Sequence, residues 1–209
     1  IDIGEGGETG LITYMRTDST MVSPLAIEEV RGYIKGAHGA SYLPDTPNIH
    51  KTKSAKAQEA HEAVRPSSSL RTPDKMKSYL TAEQFKLYQL IWRRFVASQM
   101  MPAVYETLSI EVLSKGNQHE YMFRASGSKL QFPGFLVVSE EAKDEDAKAE
   151  NEILDLPEGL IEGDLLKLLE LLPEQHFTQP PPRFTEASLV QTLEEYGIGR
   201  PSTYAPIIS

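Results

Sequence analysis

Within ten residues, Gly10-Leu11-Ile12-Thr13-Tyr14-Met15-Arg16-Thr17-Asp18-Ser19 sets one tyrosine beside a cation, a carboxylate and three hydroxyls. These are the groups a nucleophile needs to attack a phosphate. A phenol titrates near pH ~10, so at pH 7 roughly one molecule in a thousand is phenolate, a deficit of about 4 kcal/mol that neighbours must offset. In an extended segment side chains alternate, which would put Tyr14, Arg16 and Asp18 on one face. Arg16 would then hold a phosphate oxygen while Tyr14 attacks phosphorus, and the guanidinium would stabilise charge developing in the transition state. Asp18 would orient Arg16 or a proton carrier.

Composition alone favours a plainer role. The chain has nine tyrosines, and most tyrosines are packing residues with a solvated hydroxyl. The exact string shifts the balance, because Leu11-Ile12-Thr13-Tyr14-Met15-Arg16-Thr17-Asp18-Ser19 resembles the active-site tyrosine signature of type IA DNA topoisomerases in its bacterial topoisomerase I form. The topoisomerase III branch usually carries proline where Met15 stands.

Two distant stretches carry the same resemblance. Ala57-Gln58-Glu59-Ala60-His61-Glu62-Ala63-Val64-Arg65-Pro66 is similar to the family's Gln-Glu-Ala-His-Glu-Ala-Ile-Arg-Pro segment, with Val64 in place of the usual isoleucine. A lone histidine is more often a surface or hydrogen-bonded residue than a catalyst, but the resemblance implies an active-site role for His61. Either it orients or relays protons with Asp18, or it contacts the scissile phosphate. Arg65 is open to two readings, a phosphate ligand or a charge at a helix C-terminus. Farther on, Pro182 to Leu189 and Gly197 to Ala205 resemble the family's next block, in which Arg200, Ser202 and Thr203 at a helix N-terminus are expected to hold backbone phosphates of a single strand. Free N–H groups, a positive helix end and hydroxyls suit an anion. Arg183, Tyr196 and Tyr204 read as structural residues or weak contacts.

Around these motifs the chain reads as α+β in three stretches. Residues 1–101 are mostly helical and carry the tyrosine. Ser23-Pro24 is an N-cap and first-turn pair for a helix striped by Ile27, Val30, Tyr33 and Ile34 and ending near Gly36. Ala55 to Val64 reads as a helix stopped by Pro66. Thr81 and Gln84 have capping-box spacing ahead of a stripe of Leu87, Tyr88, Ile91, Trp92 and Phe95. Residues 102–182 turn to period two: Leu108, Ile110 and Val112 on one strand, a Gly116-Asn117 turn, then Tyr121 and Phe123 returning. Phe135 to Val138 and Asp164 to Leu171 are further strand candidates, flanking an acidic insertion at 139–152. Asp144-Glu145-Asp146 has Asp-x-Asp spacing, but no apolar strand leads into it to give the rigid carboxylates Mg²⁺ requires. Pro180-Pro181-Pro182 is a stiff boundary. Residues 183–209 then start a helical domain in which Thr185 caps a helix with Leu189, Val190 and Leu193, Gly197 ends it, and Gly199 to Tyr204 open the next.

Charge and composition are compatible with a nucleic-acid partner. The net charge of -9 opposes a polyanion at first sight. Between Glu140 and Asp164, however, eleven acids face only Lys143 and Lys148, so the rest of the chain sums to zero. The first hundred residues hold thirteen Lys or Arg and eleven Asp or Glu, leaving the tyrosine in a slightly basic region. There is no cysteine, hence no disulfide framework and no Cys-based zinc site. No apolar run approaches the ~20 residues needed to span a bilayer.

The resemblance implies single-strand transesterification with a 5′-phosphotyrosyl intermediate at Tyr14, on single-stranded segments of negatively supercoiled DNA, in the bacterial cytoplasm at the nucleoid. No nucleotide is needed, and no Gly-x-x-x-x-Gly-Lys-Ser/Thr loop occurs. It implies a β-rich arch for 102–182 and Mg²⁺ held by a Toprim domain outside this chain, with no metal ligand here. Ile1 in place of an initiator methionine, and a helical pattern still running at Ser209, are read as marks of a piece of a longer polypeptide that cannot relax DNA alone. The alternative is a noncatalytic helix-turn-helix nucleic-acid-binding module with Tyr14 as a packing residue. A recombinase or relaxase is a third reading, but their Arg/His/Tyr spread and His-x-His cluster are not found.

Overall fold

The computed structural model describes residues 1–4, 6–50, 61–116, 118–139 and 159–208. The acidic triplet Asp144-Glu145-Asp146 lies outside them, as does most of the helix expected over Ala55 to Val64. The fold is α+β, in two compact units: Ile1–Ala103 with Pro133–Glu141 and Phe184–Ser209, and Val104–Phe132 with Ala142–Arg183.

The first unit is built around two long helices. Helix α1 (Pro24–His38) starts where the Ser23 hydroxyl accepts from the Ala26 amide, and Gly39, at φ 98°, caps its end. It therefore runs two residues beyond Gly36. After the single turn α2 (Pro73–Met76), helix α3 (Ala82–Ser98) opens with the complete capping box of Thr81 and Gln84. Val30 and Ile34 of α1 meet Tyr88, Trp92, Phe95 and Val96 of α3, and Ile3, Met76 and Met100 close the core. Leu87, assigned to the same stripe, is instead 56% exposed and lines an apolar cleft with Ile1, Leu11, Leu80 and Ile91.

Two polar clamps tie this core to the loop leading toward Tyr14. The Trp92 indole donates to the Ser69 carbonyl at 3.0 Å, and the Tyr88 hydroxyl to the Arg71 carbonyl at 2.6 Å. From α1, the Glu29 carboxylate accepts the Ser69 amide (2.6 Å), the Ser69 hydroxyl (2.8 Å) and the Ser68 hydroxyl. Burial pushes the Glu29 carboxyl up, but the Ser69 and Ser68 hydrogen bonds and the Arg65 charge outweigh it and hold it below its usual value. Residues 67–71 are thus held from both long helices.

Phe135 to Val138 form a 3-10 turn, Gly134–Val137, and no strand. Gly134 sits at φ 49° against the Met101 and Pro102 carbonyls, and the Phe135 amide donates to Met101 O at 2.9 Å. That turn packs Phe135 and Val138 on the core, a use of apolar residues that period alone does not separate from a strand. Residues 184–209 hold α4 (Glu186–Glu195), with a capping box of Thr185 and Ser188, and the short α5 (Tyr204–Ile208).

The second unit is one antiparallel hairpin, β1 (Val104–Lys115) and β2 (Glu120–Phe132). Its register pairs Leu108 with Gly127, Ile110 with Ala125 and Val112 with Phe123 on one face, and Ser109 with Ser126 and Glu111 with Arg124 on the other. Over this central stretch, alternation places the apolar pairs and the polar pairs on opposite faces. Asp164 to Leu171, expected as a strand, form none: these residues are exposed and without regular structure. Paired leucines in Leu165-Leu166-Lys167-Leu168-Leu169 break the period of two that a half-buried strand requires.

Candidate nucleic-acid cleavage site

Tyr14 is placed by pairing between two segments fifty residues apart. The Thr13 amide donates to Arg65 O at 2.9 Å and the Ser67 amide to Leu11 O at 2.9 Å, with Ile12 bridged to Pro66. Between those backbone bonds the Thr13 hydroxyl donates to Ala63 O at 2.8 Å and accepts the Arg65 amide at 3.0 Å. The Ala63 amide in turn donates to Met21 O at 2.7 Å. Residues 61–67 therefore lie between the two arms of the Tyr14 loop, and His61–Val64 are not helical. The pairing demands extended backbone here, and Pro66 biases Arg65 the same way.

This pairing brings Tyr14 and His61 together. Their ring centroids lie 5.3 Å apart at 40°. The tyrosine ring is 54% exposed, more than packing would leave. His61 Nδ1 is buried and has no hydrogen-bond partner among the described residues. A hydrogen bond from that nitrogen to Asp18, one of the two roles considered for His61, is therefore not made.

The chain bends at Met15 and Arg16, so the expected single face of Tyr14, Arg16 and Asp18 is broken. Arg16 and Asp18 instead line a cleft with Arg200, Pro201 and Ser202. Arg16, Arg200, Ser202 and Asp18 thus line one cleft. Among the described residues, none of the Arg16, Asp18 and Arg200 side chains forms a hydrogen bond or ion pair. Tyr204, nearby, has its hydroxyl pKa raised by burial and then by the carboxylates of Glu194 and Asp18.

Two other candidates are engaged in holding structure. The Arg65 guanidinium is bound to Glu62 through Nε (2.7 Å) and Nη2 (2.6 Å) and to Pro66 O through Nη1 (3.0 Å), with 12% of its side chain exposed. It stiffens the loop beside His61. The Thr203 hydroxyl accepts the Arg200 amide at 2.8 Å and donates to the Arg200 carbonyl at 3.1 Å, shaping the turn before α5. That helix has only five residues, and Arg200 and Ser202 line the cleft before it.

The hydroxyls near Tyr14 also proved structural. The Thr17 hydroxyl accepts the Ser19 amide at 3.0 Å, and the Ser19 hydroxyl accepts the Met21 amide at 3.1 Å. Thr13 was not among the site candidates, and Glu62 was read only as part of its motif. A cross-segment contact leaves no local pattern in one sequence.

A family model described as DNA topoisomerase matches residues 7–209. The chain is 54% identical over all 209 residues to DNA topoisomerase 1 of two Xylella fastidiosa strains, Temecula1 and 9a5c, and spans 25% of each of those proteins. The full-length topoisomerase I of Thermotoga maritima superposes with a TM-score of 0.71 at 37% identity, over 98% of this chain and 30% of that one. The chain belongs to the type IA DNA topoisomerase family. It spans about a quarter of the length of the curated relatives it matches.

Proposed function

We propose that this chain is the tyrosine-bearing part of an ATP-independent type IA DNA topoisomerase. The Tyr14 oxygen attacks a backbone phosphorus of one strand, the new Tyr14–phosphate bond forms at the 5′ side, and the phosphodiester bond to the 3′ oxygen breaks. The phenol proton leaves as the 3′ oxygen takes one up. After strand passage the 3′-hydroxyl attacks the phosphotyrosine and restores the diester, so one ester is exchanged for another and energy for the topological change comes from negative supercoiling. The observation that carries this reading is the exposed Tyr14 ring against His61, fixed there by Thr13. His61 has a ring nitrogen with no hydrogen-bond partner among the described residues at this position, suited to take up or hand on the proton. Arg16 and Arg200 bind phosphates of the strand, Ser202 adds a hydroxyl, and Thr203 holds the turn that carries them.

Among the described residues there is no group of three or more His, Asp or Glu that could hold a metal ion. The described residues offer no Mg²⁺ ligand set, and no step above runs through one. Mg²⁺ belongs, in this reading, to the Toprim domain of the longer polypeptide, and residues 184–209 begin its single-strand-binding domain. No helix of the described residues is long and apolar enough to cross a membrane, and the site of action is the bacterial nucleoid.

In the full-length polypeptide, Tyr14→Phe is expected to abolish both plasmid relaxation and the covalent protein–DNA adduct while oligonucleotide binding survives. Relaxation by the Tyr14→Phe protein would instead establish the noncatalytic binding-module reading. In the same assay the 209-residue chain alone is expected to leave the plasmid supercoiled.

A further inference from the structure

The cleft of Arg16, Asp18, Arg200 and Ser202 contains one group that a phosphate site does not need. Asp18 is half-buried and lines the same cleft as Arg16 and Arg200. Among the described residues it pairs with neither. A carboxylate used simply to orient an arginine would be found on it, at hydrogen-bond distance. Here it remains a negative charge inside the space an incoming phosphate would take.

We propose that Asp18 is a built-in competitor for the strand phosphate, a positioning residue whose charge weakens the noncovalent hold of Arg16 and Arg200 on single-stranded DNA. The inference rests on the topoisomerase reading of the site. With Asp18 ionised the three charged groups sum to a single positive charge, and an entering phosphate meets one like charge across the cleft. The strand is then held loosely enough to be released after religation, and the covalent Tyr14 link carries the hold while the strand is open. Removing one like charge from a partly solvated cleft tightens phosphate binding about three- to tenfold.

The test is fluorescence anisotropy of an end-labelled single-stranded oligonucleotide, with the full-length polypeptide carrying Tyr14→Phe so that only noncovalent binding is read. Asp18→Asn and Asp18→Ser are each expected to bind about three- to tenfold more tightly than the Tyr14→Phe parent. Arg200→Ala is expected to bind more weakly. The slope of log affinity against log salt should steepen for both Asp18 variants. A purely structural role for Asp18 would weaken binding or leave it alone, so unchanged or weaker binding by the folded variants overturns the inference. If the parent binds and Arg200→Ala weakens it while the Asp18 variants gain nothing, only this inference falls. If the parent binds no oligonucleotide, the phosphate reading of the cleft falls as well.

Discussion

Thr13→Val is the most direct test of how the nucleophile is held. The substitution keeps shape and branching but removes a hydroxyl that donates to Ala63 O at 2.8 Å and accepts the Arg65 amide at 3.0 Å. Both partners are part-buried backbone groups, and an intramolecular hydrogen bond contributes about 1 kcal/mol net, rising to about 1–3 kcal/mol where a buried group is left unmatched. Two bonds at a half-buried position give a loss of about 2 kcal/mol. The backbone bond from the Thr13 amide to Arg65 O survives, so the pairing loosens without separating. Urea denaturation of the chain measures the loss through its one tryptophan, since Trp92 is buried and bonded to Ser69 in the loop that follows the paired segment. Thr13→Ser keeps the hydroxyl and should lose about 1 kcal/mol or less. In the full-length polypeptide, cleavage by Thr13→Val should fall more than oligonucleotide binding, because the shift separates Tyr14 from His61 and leaves Arg16 and Arg200 in place. If Thr13→Val is as stable and as active as the native protein, or Thr13→Ser is as damaged as Thr13→Val, the hydroxyl is not what holds the site.

Two further substitutions probe the scaffold. Gly134→Ala places a Cβ 2.3 Å from the Pro102 carbonyl oxygen, on a backbone at φ 49°, and should destabilise the first unit by about 2–4 kcal/mol. A denaturation midpoint equal to the native one would rule out the close approach. Glu29 tests the polar clamp through pH: because its folded carboxyl lies below the ordinary value, its contribution is full above the unfolded pKa of about 4.3 and is lost as pH falls through the folded one. Glu29→Gln should therefore lower the urea midpoint at pH 7, with the gap from the native chain closing toward pH 3. A gap that stays constant over that range would show that the Glu29 charge contributes nothing.

Local rules were read correctly from local residues. Ser23-Pro24, Thr81 with Gln84 and Thr185 each start a helix, and Leu108, Ile110 and Val112 lie on the strand that their alternation requires. These signals depend on neighbours within four positions. The misreadings involve residues whose conformation is set from far away: His61 to Val64 are extended by the Tyr14 segment, and Phe135 is turned by Met101 and Pro102. The site divides in the same way. Tyr14, Arg16, Asp18 and His61 were all named from motifs, but their grouping was not. Alternation places Arg16 on one face with Tyr14, whereas the fold sets it in a cleft with Arg200, distant in sequence.

That regrouping bears on how cleavage is aligned. If Arg16 shared a face with Tyr14, one residue would both bind the strand and stabilise the attacked phosphate. With the bend at Met15, the nucleophile and His61 form one station, and Arg16, Arg200 and Ser202 form another. Under the proposed function, a strand bound by Arg16 and Arg200 would present a neighbouring phosphate to Tyr14, with the backbone between Tyr14 and Arg16 setting the spacing. Position along the strand is then fixed by rigid chain geometry, since Thr13 anchors one end of that short segment and the Thr17 and Ser19 hydroxyls fold the other. Proximity of this kind acts on the rate through orientation. It follows that loosening the bend should reduce cleavage with little change in strand affinity, while removing Arg200 should do the reverse.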